Sequence, residues 1–473
     1  MIFSSHNFLF WFLPIVWFGF VGLRGVFSAS PHRAQILMSW LLLCSFWFYA
    51  QWRTADLALL VTIILINYVA AMKLRALGVS RTLFGVIFIN LGVLAFFKYW
   101  PWVDWDIDRS LLLAGLPLGI SFYVFQAIAF QVDFSRGITK LPKPLDFALF
   151  LGFFPQLIAG PIVHGRELFP QLSKLGARPC LISLGLTLFS VGLAKKVLIA
   201  DSLAGGVDAI YLKTQNIDVT TTIAAGVGYG AQLYFDFSGY ADMAVGLGLL
   251  FGIRLPQNFR SPYSASSISD FWKSWHITLS RFLKDYLYIP LGGNRLGSLR
   301  KCINLLVTMI LGGLWHGAGL QFVIWGFAHG VFLVVEYVGR TQLGWLADLI
   351  PLFIRRVLTF AIVMLLWIPF RAADLNQAEQ LITGLLHWSM PNVPSMIEIF
   401  EPLMKLSSSS SPPIVVLFWA FLSIYLISCC PTAFRWSLGA GGFKRGMTFA
   451  LLTLMVIKTL ADRPDQPFLY FQF

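Results

Sequence analysis

Long uninterrupted apolar runs decide what this chain can fold into. They fall at about 7–27, 35–50, 55–72, 82–97, 111–130, 145–163, 180–200, 222–252, 303–338, 352–370, 412–430 and 447–461. A hydrocarbon layer of about 30 Å needs about 20 such residues per helix, and inside it every backbone polar group must be satisfied by the segment itself. The runs are continuous rather than alternating, which excludes a water-filled β-barrel. Only 12% of the 473 residues are charged, against about 25% in a soluble domain. The chain therefore reads as an all-α polytopic membrane protein, a single integral-membrane domain over 1–473 with about 11–13 membrane helices, re-entrant or interfacial ones included. The runs 222–252 and 303–338 are too long for one simple span. Each predicts a long tilted helix, a helix pair, or a span with a re-entrant segment.

The loops give the orientation. Lys73, Arg75 and Arg81 make one loop basic; Asp104, Asp106 and Asp108 make the next acidic; Arg136, Lys140 and Lys143 make the third basic. Basic loops mark the cytoplasm, which puts the amino terminus outside, 73–81 inside, 100–110 outside and 133–144 inside. The formal charge of +13 is explained by such loops, and nucleic acid is not an expected partner. The first apolar run lacks a basic n-region and a small-residue cleavage site, so it is expected to be a span rather than a cleaved signal. The five cysteines show no metal spacing and read as small buried hydrophobes. Residues 391–413, rich in Pro and Ser, read as an extramembrane connector.

Arg254 to Lys301 is the most basic stretch, with Arg254, Arg260, Lys273, Arg281, Lys284, Arg295, Arg300 and Lys301 against Asp270 and Asp285. It is expected on the cytoplasmic side. Ser269 looks like a helix start, and Phe271, Trp275, Thr278 or Leu279, and Phe282 then recur at helical spacing. Such a helix would lie at the interface or dip into the protein, apolar side inward.

Ionisable groups inside apolar runs are costly and mark function by default. His316 sits in Leu311-Gly-Gly-Leu-Trp-His-Gly-Ala, with no formal charge between Lys301 and Glu336. Burial keeps an imidazole neutral, and a neutral imidazole is what a general base or a nucleophile requires. The bland alternative is a buried histidine bonded to a neighbouring helix. His276 could reach the same cavity from the basic segment. On a continuous helix His329 would stand about 20 Å from His316, which assigns it a structural role. His6, His32, His164 and His387 read as structural or surface residues. Asp236 and Asp242 flank Ser238-Gly239-Tyr240 inside a membrane run; they serve either an ion pathway or, preferably, a structural role at a break made by Gly239. No His-Glu-x-x-His, Cys-x-x-Cys, Walker loop, dinucleotide fingerprint or Gly-x-Ser-x-Gly occurs, so no metal site and no bound cofactor is expected.

Five motifs carry a resemblance: Asp236–Asp242, Arg260-Ser-Pro-Tyr263, Ser267-Ile-Ser-Asp-Phe-Trp-Lys-Ser-Trp-His276, Tyr286-Leu-Tyr-Ile-Pro-Leu-Gly-Gly-Asn-Arg295 and Leu314-Trp-His-Gly-Ala318. Together they resemble the membrane-bound O-acyltransferase family, and within it the bacterial branch of alginate O-acetyltransferase membrane subunits. Phe3-Ser4-Ser5, Pro155-Gln-Leu-Ile-Ala-Gly-Pro161 and Pro467-Phe-Leu-Tyr-Phe-Gln-Phe473 look similar too, so the likeness runs along nearly the whole chain. It implies a helix bundle around a central tunnel, with the catalytic core at about 222–338. It implies His316 as the catalytic histidine and His276 as the second active-site position. Asp236, Tyr240, Asp242, Trp275 and Trp315 are then the candidates for lining the substrate path. The implied donor is acetyl-CoA on the cytoplasmic side of a bacterial inner membrane, and the implied product an O-acetylated polysaccharide such as alginate or cellulose. A periplasmic SGNH-type acetyltransferase and a polysaccharide synthesis or export complex are the implied partners, with membrane lipid around the bundle. Two other classes stay open on the residues alone: a transporter of a solute or acylated carrier that uses Asp236 and Asp242, and a scaffold subunit of a secretion complex.

Overall fold

The computed structural model describes residues 1–77, 80–99, 116–213, 217–342, 344, 349–389, 412–429, 432–461 and 466–469. The three loop aspartates at 104, 106 and 108, nearly all of the 391–413 connector and the last four residues of the closing motif lie outside the described residues. Described residues form helices and no strands. In chain order the main ones are α1 (Asn7–Val26), α2 (Arg33–Ala50), α3 (Thr54–Leu77), α4 (Ser80–Tyr99), α5 (Ile120–Ser135), α6 (Pro144–Gly152), α7 (Ile182–Tyr211), α8 (Val219–Leu250), α9 (Ile268–Trp272), α10 (Ile277–Leu283), α11 (Gly297–His316), α12 (Leu320–Gln342), α13 (Leu352–Arg371), α14 (Leu375–Thr383), α15 (Pro413–Cys429), α16 (Ala433–Gly439) and α17 (Gly442–Ala461). Seven of them, α1, α3, α4, α7, α11, α12 and α13, are long and apolar enough to cross a membrane. Large apolar side chains such as Phe18, Phe84 and Phe88 face outward at 67–74% exposure, a liability in water and the required surface in lipid.

The bundle is assembled around α8. This helix is 32 residues long, about 48 Å by its rise, and almost all of it is buried. It starts where the Asp218 carboxylate accepts the Thr221 N–H at 2.8 Å. It stops at Gly252, whose φ of 76° lets the Ile253 N–H turn back to the Gly248 carbonyl at 2.8 Å, a left-handed glycine cap. Of the expectations for 222–252, the single long helix is the one observed, and Gly239 does not break it. Instead Gly239 brings α7 close. A Cβ there would lie 2.7 Å from the Gly192 carbonyl oxygen, and one at Gly246 would lie 2.6 Å from that of Gly185. The two glycine pairs are seven residues apart on each helix, so antiparallel α7 and α8 touch backbone to backbone on successive double turns. Without a hydrophobic force between helices in lipid, such close contact is what holds a pair together.

The run 303–338 resolves into the helix pair α11 and α12, broken at 317–319. Gly313 and Gly326 seat the two against each other: a Cβ on Gly313 would lie 2.2 Å from the Phe322 carbonyl oxygen, and one on Gly326 2.3 Å from that of Met309. The basic segment departs further from the expected single helix. The N-cap is Ser267 rather than Ser269, its hydroxyl accepting the Asp270 N–H at 3.1 Å. α9 then ends at Trp272, and the chain bends through 273–276 before α10 begins. The apolar side does turn into the protein: Phe271, Trp275 and Leu279 are all buried.

Candidate active site

α11 ends on His316, and the end is built rather than frayed. The last turn of a helix leaves its carbonyls unmet. Here Tyr99 donates its hydroxyl hydrogen to the Leu314 carbonyl at 2.6 Å, and the Lys98 ammonium donates to that of Trp315. Both donors come from the last turn of α4. Gly317 follows with extended backbone, and a side chain there would strike the Phe322 ring. The imidazole of His316 is buried and walled by aromatic rings, with Trp325 at 5.3 Å and Phe370 at 5.0 Å between centroids. Beside it lies a small cavity of about 20 Å³ lined by Lys98, Ser121, Phe122, Trp315 and His316, room for about one water.

His276 approaches from the basic segment. Its ring stands edge-on to Phe237 at 4.7 Å and lies 6.3 Å from Trp315, the residue next to His316. Its Nδ1 sits 3.2 Å from the side-chain oxygen of Asn258. Burial, outside the spanning helices, pushes its pKa down, so the ring is neutral at pH 7. The structure thus gathers His276, His316 and Trp315 into one group.

His329 is not remote from this group. The premise of a continuous helix fails at 317–319, and α12 folds back so that the Trp325 indole contacts both His316, at 5.3 Å, and His329, at 4.8 Å. His329 accepts the indole N–H of Trp272 on Nδ1 at 3.3 Å, a bond that ties α9 to α12. Trp275 stands one ring further back, packed on Trp367 at 5.0 Å. Tyr240 belongs elsewhere: its ring neighbours are Phe3 at 4.8 Å and Phe468 at 5.0 Å.

Asp236 and Asp242 do not flank a break. Each faces a lysine of α7. Lys196 lies 2.7 Å from Asp236 and from Asp201, and Lys195 lies 2.6 Å from Asp242. The second oxygen of Asp236 accepts the Leu469 N–H at 3.0 Å, while Lys196 also donates to the Pro467 carbonyl at 3.1 Å. The closing motif is thus docked by its backbone onto a buried ion pair. The Asp242–Lys195 pair lines a different cavity, of about 420 Å³, that also touches Asn258, Tyr234 and Leu452. Sequence reasoning had a signal for these pairs and did not use it: Lys195 and Lys196 are two cations closing an otherwise apolar run.

One further group was missed. Asn258 had no periodic or compositional mark. His164 is buried in a cluster where the Tyr286 hydroxyl donates to Asp133 at 2.8 Å and accepts from His164 Nδ1 at 2.9 Å. That cluster fastens α5, the 160–164 segment and the 284–288 turn together, the structural use expected for His164. Among the described residues no three of His, Cys, Asp and Glu gather as metal ligands do.

The sequence profile of the membrane-bound O-acyltransferase family matches residues 41–346. The chain is 39% identical to the peptidoglycan O-acetyltransferase of Helicobacter pylori, over 82% of this chain and 80% of that protein. It is 37% identical to a protein described as a probable alginate O-acetylase of Pseudomonas putida, over the whole of both chains. It is more distantly similar, 28% identical over 46% of this chain, to the teichoic acid D-alanyltransferase of Bacillus subtilis.

Proposed function

Because this chain belongs to the membrane-bound O-acyltransferase family and is an O-acyltransferase, we propose that it takes an acetyl group from a cytoplasmic donor, acetyl-CoA, and passes it through a bacterial inner membrane to O-acetylate a cell-surface or exported polysaccharide. The relatives are acetylases of peptidoglycan and alginate by their names, which supports a polysaccharide acceptor. The amino terminus is periplasmic in this reading, from the alternation of basic and acidic loops. A periplasmic SGNH-type acetyltransferase and the polysaccharide synthesis or export complex complete the pathway.

One observation carries the chemistry: two buried histidines, His276 and His316, border the same Trp315 ring where α11 stops. His316 acts as general base on the acceptor hydroxyl or takes the acyl group transiently, and His276 assists. Attack on a thioester carbonyl builds negative charge on oxygen, which preorganised donors must meet. Lys98 Nζ, a hydrogen-bond donor in the cavity wall beside His316, is one group that could do so. The basic, aromatic stretch from Arg254 to Lys301 suits an anionic, nucleotide-bearing donor. The rival reading, a transporter coupling ions to Asp236 and Asp242, is weakened by the lysines that already pair with both carboxylates.

The test is protein reconstituted with labelled acetyl-CoA. Acetyl release or transfer is expected from the natural chain and is lost in His316→Ala, which accumulates to the same level. Transfer that survives His316→Ala overturns the assignment. Solute counterflow without loss of the acyl group favours the transporter.

A further inference from the structure

Three contacts between neighbouring segments hold His276 in place, and Asn258 makes two of them. The segments around residues 258–260 and 274–278 are joined by two backbone bonds: Arg260 N–H to the Ser274 carbonyl and Ile277 N–H to the Asn258 carbonyl, each 2.9 Å. Between them His276 adopts left-handed backbone, φ 43° and ψ 53°. Only Ser261 shares a positive φ among the described non-glycine residues. Such backbone is strained and persists where the surroundings over-determine it, most often at functional sites. The third grip is the side chain. Asn258 Oδ1 accepts the Thr278 N–H at 3.1 Å and the Thr278 hydroxyl hydrogen at 3.0 Å, and lies 3.2 Å from His276 Nδ1.

These contacts fix a proton. A backbone N–H only donates, so the Asn258 atom facing Thr278 is the oxygen, and the amide orientation follows. A carbonyl oxygen only accepts, so the ring nitrogen at 3.2 Å carries hydrogen. A neutral imidazole has one N–H. With that hydrogen on Nδ1, Nε2 holds a lone pair.

We propose that Asn258 is a positioning residue that locks His276 as the Nδ1–H tautomer, so that His276 meets the reaction as an acceptor through Nε2 and not as a donor to the oxyanion. The proposal rests on the reading of His276 and His316 as the acyl-transfer pair, and it narrows that reading: the donors facing the oxyanion come from other groups. Choice of tautomer by the partner of the other ring nitrogen is a general means of setting a histidine's role.

The tautomer can be read directly. Protein labelled with ¹⁵N-histidine in membranes, with the His276 signals assigned by their loss in His276→Gln, is expected to show a protonated Nδ1 and an unprotonated Nε2 at pH 7. Asn258→Leu removes the acceptor; the His276 proton is expected to redistribute towards Nε2, and kcat to fall about 10- to 100-fold with KM for the donor nearly unchanged, taking the scale known for partners that orient metal-bound histidines. Asn258→Asp keeps the acceptor oxygen and is expected to keep the Nδ1–H tautomer, so it tests the proposal even where the leucine variant fails to accumulate. A natural protein with the proton on Nε2, or a leucine variant with both tautomer and kcat unchanged, overturns it. Absence of acetyl transfer by the natural protein would instead remove the acyl-transfer reading, while the spectrum still decides the tautomer.

Discussion

Replacing Lys196 by Met asks why Asp236 is buried. Lys196 is 2% exposed, and its ammonium holds Asp236 and Asp201 at 2.7 Å each and the Pro467 carbonyl at 3.1 Å. Methionine keeps most of the stem and deletes the charge. Asp236, 1% exposed, then keeps the Leu469 N–H at 3.0 Å as a donor. Removing one partner of a buried ion pair costs about 3–5 kcal/mol, because the surviving charge stays in a poor solvent. Against a usual folding margin of about 5–15 kcal/mol, that is a large loss. Exchanging both partners, as Lys196→Met with Asp236→Leu, removes the stranded charge, and replacing a whole pair by apolar groups is often close to neutral. Some cost remains, since the Leu469 N–H and Asp201 lose a partner, about 1–3 kcal/mol for an unmet buried group. The double variant is therefore expected to recover about half or more of the stability lost in Lys196→Met, and to retain acetyl transfer. Thermal unfolding of the purified protein in detergent, with transfer measured on the same preparations, reads both. A single variant as stable as the natural protein would refute the buried-pair reasoning. A double variant that is stable yet inactive would refute the structural role and return Asp236 to the chemistry.

Other expectations follow from the same geometry. Gly192→Leu puts a side chain on a carbon whose Cβ would stand 2.5 Å from the Gly239 carbonyl oxygen; backbone cannot yield there, and loss of monodisperse protein on size exclusion is expected. Tyr99→Phe leaves the Leu314 carbonyl without the hydroxyl that caps α11; a stability loss of about 0.5–1.5 kcal/mol is expected in thermal unfolding, with a lower kcat as His316 loses its fixed seat. Ser267→Ala deletes the N-cap of α9, costing about 1 kcal/mol as seen in the same melts, with KM for the donor rising as the basic segment loosens.

The histidine in an apolar run was legible because an imidazole without nearby charge is rare in a chain this hydrophobic. The end of its helix was half legible: the excess length of the run 303–338 allowed a break, but did not show that Tyr99 and Lys98 close it. The bend at His276 could not be read. Phe271, Trp275, Leu279 and Phe282 keep helical spacing through the interruption, because each short helix needs its own apolar side and a single left-handed residue leaves that pattern intact. Asn258 was invisible for another reason: its effect lies in one oxygen shared by three donors, which no spacing encodes. The lysine partners of Asp236 and Asp242 lie 40 and 47 residues away, and a single sequence does not pair residues across two helices.

The docking of Leu469 onto Asp236 also imposes an order on biosynthesis. The carboxylate and its last partner are 233 residues apart, so at about 5–20 residues per second the ribosome takes roughly 10–50 s to deliver the second after the first. For that interval α7 and α8 can already sit in the membrane with their ion pair closed but its outer oxygen unmet. Until Leu469 arrives, that oxygen lacks this donor, and a buried acceptor left unmet costs about 1–3 kcal/mol.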